Sequence, residues 1–143
     1  DGGYVAGANA AGGNDFMYPV LRNTAVRIFD KYATKTGKCT KTLDELRIPY
    51  RSVTAIADAL VHVMPGTHKV FGKLLIGNDG RILGAGFFGG PEVSGYCDII
   101  ALSIKAGLKV TDLRHGHYNY TPALSPFKNL IESLAIKAVQ KSR

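Results

Sequence analysis

Few side chains in this chain could carry a reaction, and two of them are thiols. Cys39 and Cys97 lie far apart, so they form neither a CxxC redox or zinc pair nor a disulfide framework. Cys39 is flanked by Lys38 and Lys41, and cationic neighbours lower a thiol pKa. The plainer expectation at Cys39 is an exposed loop cysteine. At Cys97, on an apolar stripe, it is a buried inert thiol. His115-Gly116-His117 offers two imidazoles to a metal, but Asp112 is the only acid nearby, and a polar loop is expected. The glycines from Gly77 to Gly90 punctuate a hairpin. They do not lie between a strand and a helix N-terminus, so they make no dinucleotide-binding loop. No metal ligand and no cofactor-binding residue is expected.

The elements that must position these groups are marked by periodicity and punctuation. Residues 1–17 are Gly/Ala/Asn-rich and weakly patterned, and read as a flexible arm or the edge of a preceding domain; residues 18–143 read as the folded domain. From Thr24 to Thr36, Val26, Ile28 and Tyr32 alternate with Arg27, Lys31 and Lys35, which predicts one strand with a wet face, broken at Gly37. Thr42 and Glu45 make a capping-box pattern opening a short helix that Pro49 ends. Tyr50 to Ala57 reads as a strand. His68 to Ile76 and Arg81 to Phe88 read as two more, joined at Asp79-Gly80. Glu92 to Ala106 is helical, with Val93, Cys97, Ile100 and Ile104 on one stripe and Gly107 as its stop. A last helix is expected from the Ser125-Pro126 pair, with Phe127, Leu130, Ile131, Leu134 and Val139 inward. This order implies an α+β fold: an antiparallel sheet of about four to five strands with helices packed on one side.

Composition narrows the class. At 143 residues with 45% hydrophobic content the chain can bury a real core. No apolar run approaches the roughly 20 residues of a membrane span, and no signal-peptide pattern opens the chain. A cytoplasmic setting fits the sparse cysteines. The formal charge of +7 gathers partly between Arg22 and Arg51. Without an aromatic-interleaved basic stripe this reads as a solvated face, so nucleic acid is not an expected partner.

Two segments carry a family resemblance: Arg81-Ile82-Leu83-Gly84-Ala85-Gly86-Phe87-Phe88-Gly89, and, one helix later, Ile104-Lys105-Ala106-Gly107-Leu108-Lys109-Val110-Thr111-Asp112-Leu113. Together they resemble the C-terminal dimerisation domain of FAD-dependent pyridine nucleotide-disulfide oxidoreductases, over roughly Pro19 to the C-terminus. Thr24 to Asp30, Ala33 to Gly37 and the tail Ala135 to Val139 are similar to the NADH oxidase, NADH peroxidase and coenzyme A-disulfide reductase branch. Tyr120-Thr121-Pro122-Ala123-Leu124-Ser125 is similar to that branch's Tyr-Ala-Pro-Pro-Phe-Ser, matching at the Tyr, the first Pro and the Ser. Dihydrolipoamide and glutathione reductase-type enzymes carry His-Pro-Thr there, whereas this chain has Thr121 before Pro122.

The resemblance implies a homodimer in which Tyr120 reaches the partner's active site, where it could donate a hydrogen bond or proton to a leaving thiolate or an oxyanion. A tyrosine whose hydroxyl merely finds a partner at the dimer seam is the plainer alternative. The resemblance also implies FAD and NAD(P)H bound by other domains, a redox cysteine outside this chain, and an isolated chain without activity. Two departures stand out. Val63-Met64-Pro65-Gly66 lacks the second Tyr some coenzyme A-disulfide reductases carry before a Pro-Gly turn. Tyr4-Val5-Ala6-Gly7-Ala8-Asn9 is similar to the Tyr-Ala-x-Gly-Asp close of an FAD domain, but Ala8 replaces the Asp and cannot accept a hydrogen bond. A catalytically inert standalone assembly module therefore stays open beside the enzyme reading.

Overall fold

The computed structural model describes residues 2–140; residue 1 of the arm and residues 141–143 of the domain lie outside the described residues. The elements run α1 (Gly2–Ala10), β1 (Asn23–Ile28), β2 (Lys31–Gly37), α2 (Thr40–Glu45), β3 (Tyr50–Asp58), β4 (Lys69–Gly77), β5 (Ile82–Gly89), α3 (Val93–Lys105), α4 (Val110–Arg114) and α5 (Leu130–Gln140). The strands form one antiparallel sheet in the order β1-β2-β5-β4-β3. The long helices cover one face, α3 across β2 and β5, α5 across β3 and β4. This is the α+β architecture read from the sequence. Two-residue alternation sends Val53, Ala55, Val70, Leu74 and Phe87 toward the helices, where they meet Val93, Ile100, Leu130, Ile131 and Leu134. Leu130, Ile131 and Leu134 are fully buried, each contributing about 1.5–3 kcal/mol.

Several boundaries differ from the sequence expectation. The single strand expected from Thr24 to Thr36 is a hairpin, in which β1 and β2 pair from Asn23↔Thr36 to Ile28↔Lys31 around Phe29-Asp30. Phe29 takes a φ of 56° at the first loop position, as a tight hairpin turn demands. Its carbonyl is held by the Arg27 Nε–H at 2.8 Å. No glycine marked this turn. Helix α2 begins beyond Cys39, not Thr42, and ends before Pro49. Its close is a Schellman arrangement: the Arg47 N–H bonds the Asp44 carbonyl and the Ile48 N–H the Leu43 carbonyl, with Arg47 at φ 52°. Helix α4 had no counterpart in the reading of elements; its first turn is capped by Asp112 Oδ2, which accepts the Lys109 N–H at 2.7 Å. The last helix starts at Leu130, because Asn129 Oδ1 takes the Ile131 N–H at 2.9 Å. Phe127, expected inward, is 75% exposed. Within the expected arm, residues 2–10 are helical, none of them buried.

Among the described residues, the face opposite the two long helices is covered only at its Gly84 end, where the β2–α2 connection lies over it and Leu75 is buried; the rest is bare. Strand register aligns Val26, Ala33, Phe88, Phe71 and Ile56 in one apolar row across all five strands. The next row on that face reads Thr24, Lys35, Gly86, Lys73 and Thr54.

The end of β2 depends on two glycines. Gly37 has a φ of 70°, and a Cβ at Gly84 would lie 2.1 Å from the Lys38 carbonyl oxygen. That closeness lets the Lys38 N–H reach the Leu83 carbonyl at 2.9 Å and seats the β2–α2 connection on β5. Gly84→Ala should therefore lower unfolding free energy by about 1–3 kcal/mol, read as a fall in urea midpoint at unchanged slope.

Candidate functional site

The segment from His115 to Asn129 presents the one side chain the sequence marked for chemistry, Tyr120. Its two neighbouring tyrosines diverge. Tyr118 turns inward, packs on the core and donates its hydroxyl to the Leu113 carbonyl at 2.9 Å. Burial, and then the negative charge of Glu132, pushes its phenol up to about 12. Tyr120 points outward and is 45% exposed. Among the described residues its hydroxyl has no hydrogen-bond partner.

The backbone around Tyr120 is clamped. Ser125 Oγ accepts the Thr121 N–H at 3.0 Å and donates to the Asn119 carbonyl at 3.0 Å. The Leu124 and Ser125 N–H groups both reach the Thr121 carbonyl at 2.8 Å. The Val61 N–H bonds the Pro122 carbonyl, tying the turn to the segment after β3. Ser125 is buried, so it serves as this clamp and not as the helix cap expected of it. The Tyr120 ring stacks on Phe127 with centroids 4.6 Å apart and planes 18° from parallel. Phe127 and Leu124 are both about three-quarters exposed. The result is a fixed knob: a phenol with a free hydroxyl, backed by an apolar platform that nothing among the described residues covers. Such a phenol can give a hydrogen bond or a proton to a group brought from outside the chain.

The sequence marked Tyr120 but missed its platform. A helix starting at Ser125-Pro126 puts Phe127 in the core, whereas the start at Leu130 leaves it outside. Asn129, directly before Leu130-Ile131, is the cap signal that would have placed it correctly.

The other candidates fall elsewhere. Cys97 is buried and donates to Asn23 Oδ1 at 2.9 Å. This burial is as expected, and it raises the thiol pKa. Cys39 is half-buried, with its sulfur 3.3 Å from Thr42 Oγ1. The Thr42 side chain, then its backbone N–H, hold the Cys39 pKa below the usual thiol value, with Lys35 adding to the effect. It lines a cavity that includes no residue of the Tyr120 loop. His115 and His117 are exposed, and no group of three or more His, Cys, Asp or Glu among the described residues could hold a metal. A flavin or nicotinamide cradle does not fit these residues. The glycines from Gly77 to Gly90 lie in β4, β5 and their turns, and Ala8 of α1 offers no acceptor to a ribityl chain.

The architecture recurs in solved structures, and the sequence has a curated relative. A "NADH oxidase" of Methanocaldococcus jannaschii is 27% identical over 139 residues, which is 97% of this chain and 31% of that protein. Among solved structures, a NAD-dependent persulfide reductase from A. fulgidus superimposes with a TM-score of 0.92 at 27% identity, over 98% of this chain and 26% of the other. The reduced CoADR-RHD of Bacillus anthracis gives a TM-score of 0.86 at 30% identity, over 92% of this chain and 24% of the other. The homologues of this chain are NADH oxidase and pyridine nucleotide-disulfide oxidoreductases. No family model matches it. The chain spans about a third or less of the length of these relatives. The resemblance seen in the β4–β5 hairpin and the Ile104 to Leu113 segment is thus matched by comparison over nearly the whole chain.

Two outcomes follow from the clamp. Ser125→Ala leaves the Thr121 N–H and Asn119 carbonyl without their partner; about 1–3 kcal/mol should be lost, with faster amide exchange at Thr121. Tyr118 keeps its proton in the folded state above the pH near 10 at which an unfolded tyrosine loses it. Its contribution to stability is therefore complete below pH 10 and declines as pH rises through about 12. Urea titrations across that window should show the decline, and Tyr118→Phe should reduce it.

Proposed function

We propose that this chain is the C-terminal dimerisation domain of an FAD- and NAD(P)H-dependent oxidoreductase of the NADH oxidase and coenzyme A-disulfide reductase type. Its direct role is homodimer assembly, and Tyr120 is the residue it lends to the partner subunit's active site. The Tyr120 knob carries this reading. A clamped loop holds a phenol and two uncovered apolar side chains outward, which suits a seam that a second copy closes by a two-fold contact. Stable seams of this kind bury about 800 Å² per partner, and Phe127, Leu124 and Val63 are exposed apolar surface available to one.

FAD and NAD(P)H, the cofactors the resemblance implies, belong to other parts of a parent polypeptide, as does the redox cysteine. The isolated chain is expected to be inactive. In the parent, a disulfide, peroxide, oxygen or polysulfide would be the electron acceptor. The phenol of Tyr120 would stabilise the thiolate or oxyanion that develops on reduction. Thr121 before Pro122 argues against a classical disulfide or mercuric reductase, since dihydrolipoamide and glutathione reductase-type enzymes carry a His at the Thr121 position. No described helix is long and apolar enough to cross a membrane, and two free thiols fit a cytoplasmic setting. Ala8 favours, as a second reading, an assembly module without catalysis.

In the enzyme that carries this domain, Tyr120→Phe should lower turnover of the acceptor by about a hundredfold or more. Reduction of the flavin by NAD(P)H should be unchanged. Equal turnover in both proteins would remove Tyr120 from the chemistry. In the 143-residue chain, Leu124→Asp with Phe127→Asp should convert a sedimenting dimer to a monomer with little change in thermal stability, since both side chains are exposed.

A further inference from the structure

A notch opens on the bare face of the sheet where β2, β5 and β4 run side by side. Register sets Lys35 of β2 against Gly86 of β5, and Gly86 against Lys73 of β4. Adjacent strands are about 4.8 Å apart, so the two lysines rise about 10 Å apart with only a glycine between them. A Cβ at Gly86 would meet nothing closer than the Thr34 carbonyl oxygen at 3.5 Å, so the space above it is open. The close approach at Gly37 and Gly84 brings Lys38 and Cys39 over one end. The cavity so formed has a volume of about 150 Å³ and is lined by Lys35, Lys38, Cys39, Lys73 and Gly86 among others, with no Asp or Glu.

The charge here is uncompensated. Lys31, Lys41 and Lys69 pair with Asp30, Glu45 and Asp58. Among the described residues Lys35, Lys38 and Lys73 form no ion pair. Three cations around one hollow repel each other, and an anion seated between them relieves that repulsion. The thiol at the rim lies 3.3 Å from the Thr42 hydroxyl, a contact that favours its thiolate when the hydroxyl donates. Cys97 is the internal contrast: buried, partnered and with its pKa raised.

We propose that this notch is a binding and exchange site for a small anionic disulfide, whose carboxylate or phosphate groups sit between Lys35 and Lys73 while Cys39 attacks its sulfur. The Cys39 thiolate forms a Cys39–S–S–R bond to one half of the ligand. The ligand's own S–S bond breaks, and its other half leaves as a thiolate that takes a proton from water. The bound disulfide is the oxidant, Cys39 ends in a mixed disulfide, and a second thiol reverses the step. The site is independent of Tyr120 and of the dimer.

The test compares two optical probes on the 143-residue chain: dithiobis(nitrobenzoate), a dianion, and dithiodipyridine, which is neutral. With free cysteine as the reference, the anionic probe should gain roughly tenfold in relative rate at Cys39. Lys35→Gln with Lys73→Gln should return that ratio to the free-cysteine value while leaving the neutral probe's rate within about twofold. Raised salt should do the same in the wild type. Both lysines are exposed, so their replacement leaves the core intact. Gly86→Leu, which fills the notch without touching charge, should slow both probes. Cys39→Ser should abolish the fast phase. A wild-type ratio equal to that of free cysteine, an excess that survives in the double lysine variant, or a fast phase that survives Cys39→Ser would overturn the proposal.

Discussion

The seating of α5 on β4 at Gly72 is the contact on which the rest of this molecule depends. A Cβ there would lie 2.9 Å from a Leu134 methyl and 3.1 Å from a Leu130 methyl, so the two leucines press directly onto backbone. With Leu130, Ile131, Leu134, Ala135 and Ala138 all buried, the helix can neither rotate nor slide without exposing core. That fixes where Asn129 must begin the helix, and hence where the preceding loop must end. At the other end of the loop, the Tyr118 hydroxyl pins the chain to α4. The loop between these anchors closes on itself through Ser125, and Tyr120 is left as its outward projection. The knob is the consequence of a core packing decision made on the far side of the helix.

The fold was largely legible because its signals are strong and local. The β4–β5 hairpin announced itself by Asp79-Gly80 between apolar runs, and α3 by its stripe and its Gly107 stop. What failed to show in the sequence had no local marker. The β1–β2 turn is made by Phe29 in a left-handed conformation that Arg27 helps to hold, and nothing in Phe29-Asp30 signals a hairpin by composition. Ser125-Pro126 carries a genuine helix-start signature, yet Ser125 spends its hydroxyl on the loop, and Asn129 takes the cap instead. Propensity gave two candidate starts, and the packing of Leu130 and Ile131 chose between them. Tyr120 was marked by the resemblance of Tyr120, Pro122 and Ser125 to the oxidase and coenzyme A-disulfide pattern. Its platform was not, because which aromatic faces out depends on that choice of helix start.

The distribution of chemistry over the chain is uneven in an informative way. Among the described residues the glycines from Gly77 to Gly90 lie in the β4–β5 hairpin and its ends, and the Cys97 thiol is buried. Two accessible groups stand out by their surroundings: a phenol on an apolar knob and a half-buried thiol among cations. Both need something from outside to act on. The proteins similar to this chain, a NADH oxidase and a persulfide reductase, are each about three times or more its length. The apolar row from Val26 to Ile56 across the bare face is a second uncovered surface. Two such surfaces on one small domain are what a module set between other domains would show.

In the proposed assembly the Tyr120 knob meets a second copy of the polypeptide. The most direct test places a photoreactive phenylalanine analogue at Leu124, exposed beside Tyr120, in the enzyme that carries this domain. Cross-linked material is then sized under denaturing conditions. A product of twice the single-chain mass, mapped to the partner's flavin-binding region, is the expected result. Cross-links found only within one chain, in a protein that is still dimeric, would contradict the account and place the dimer seam elsewhere.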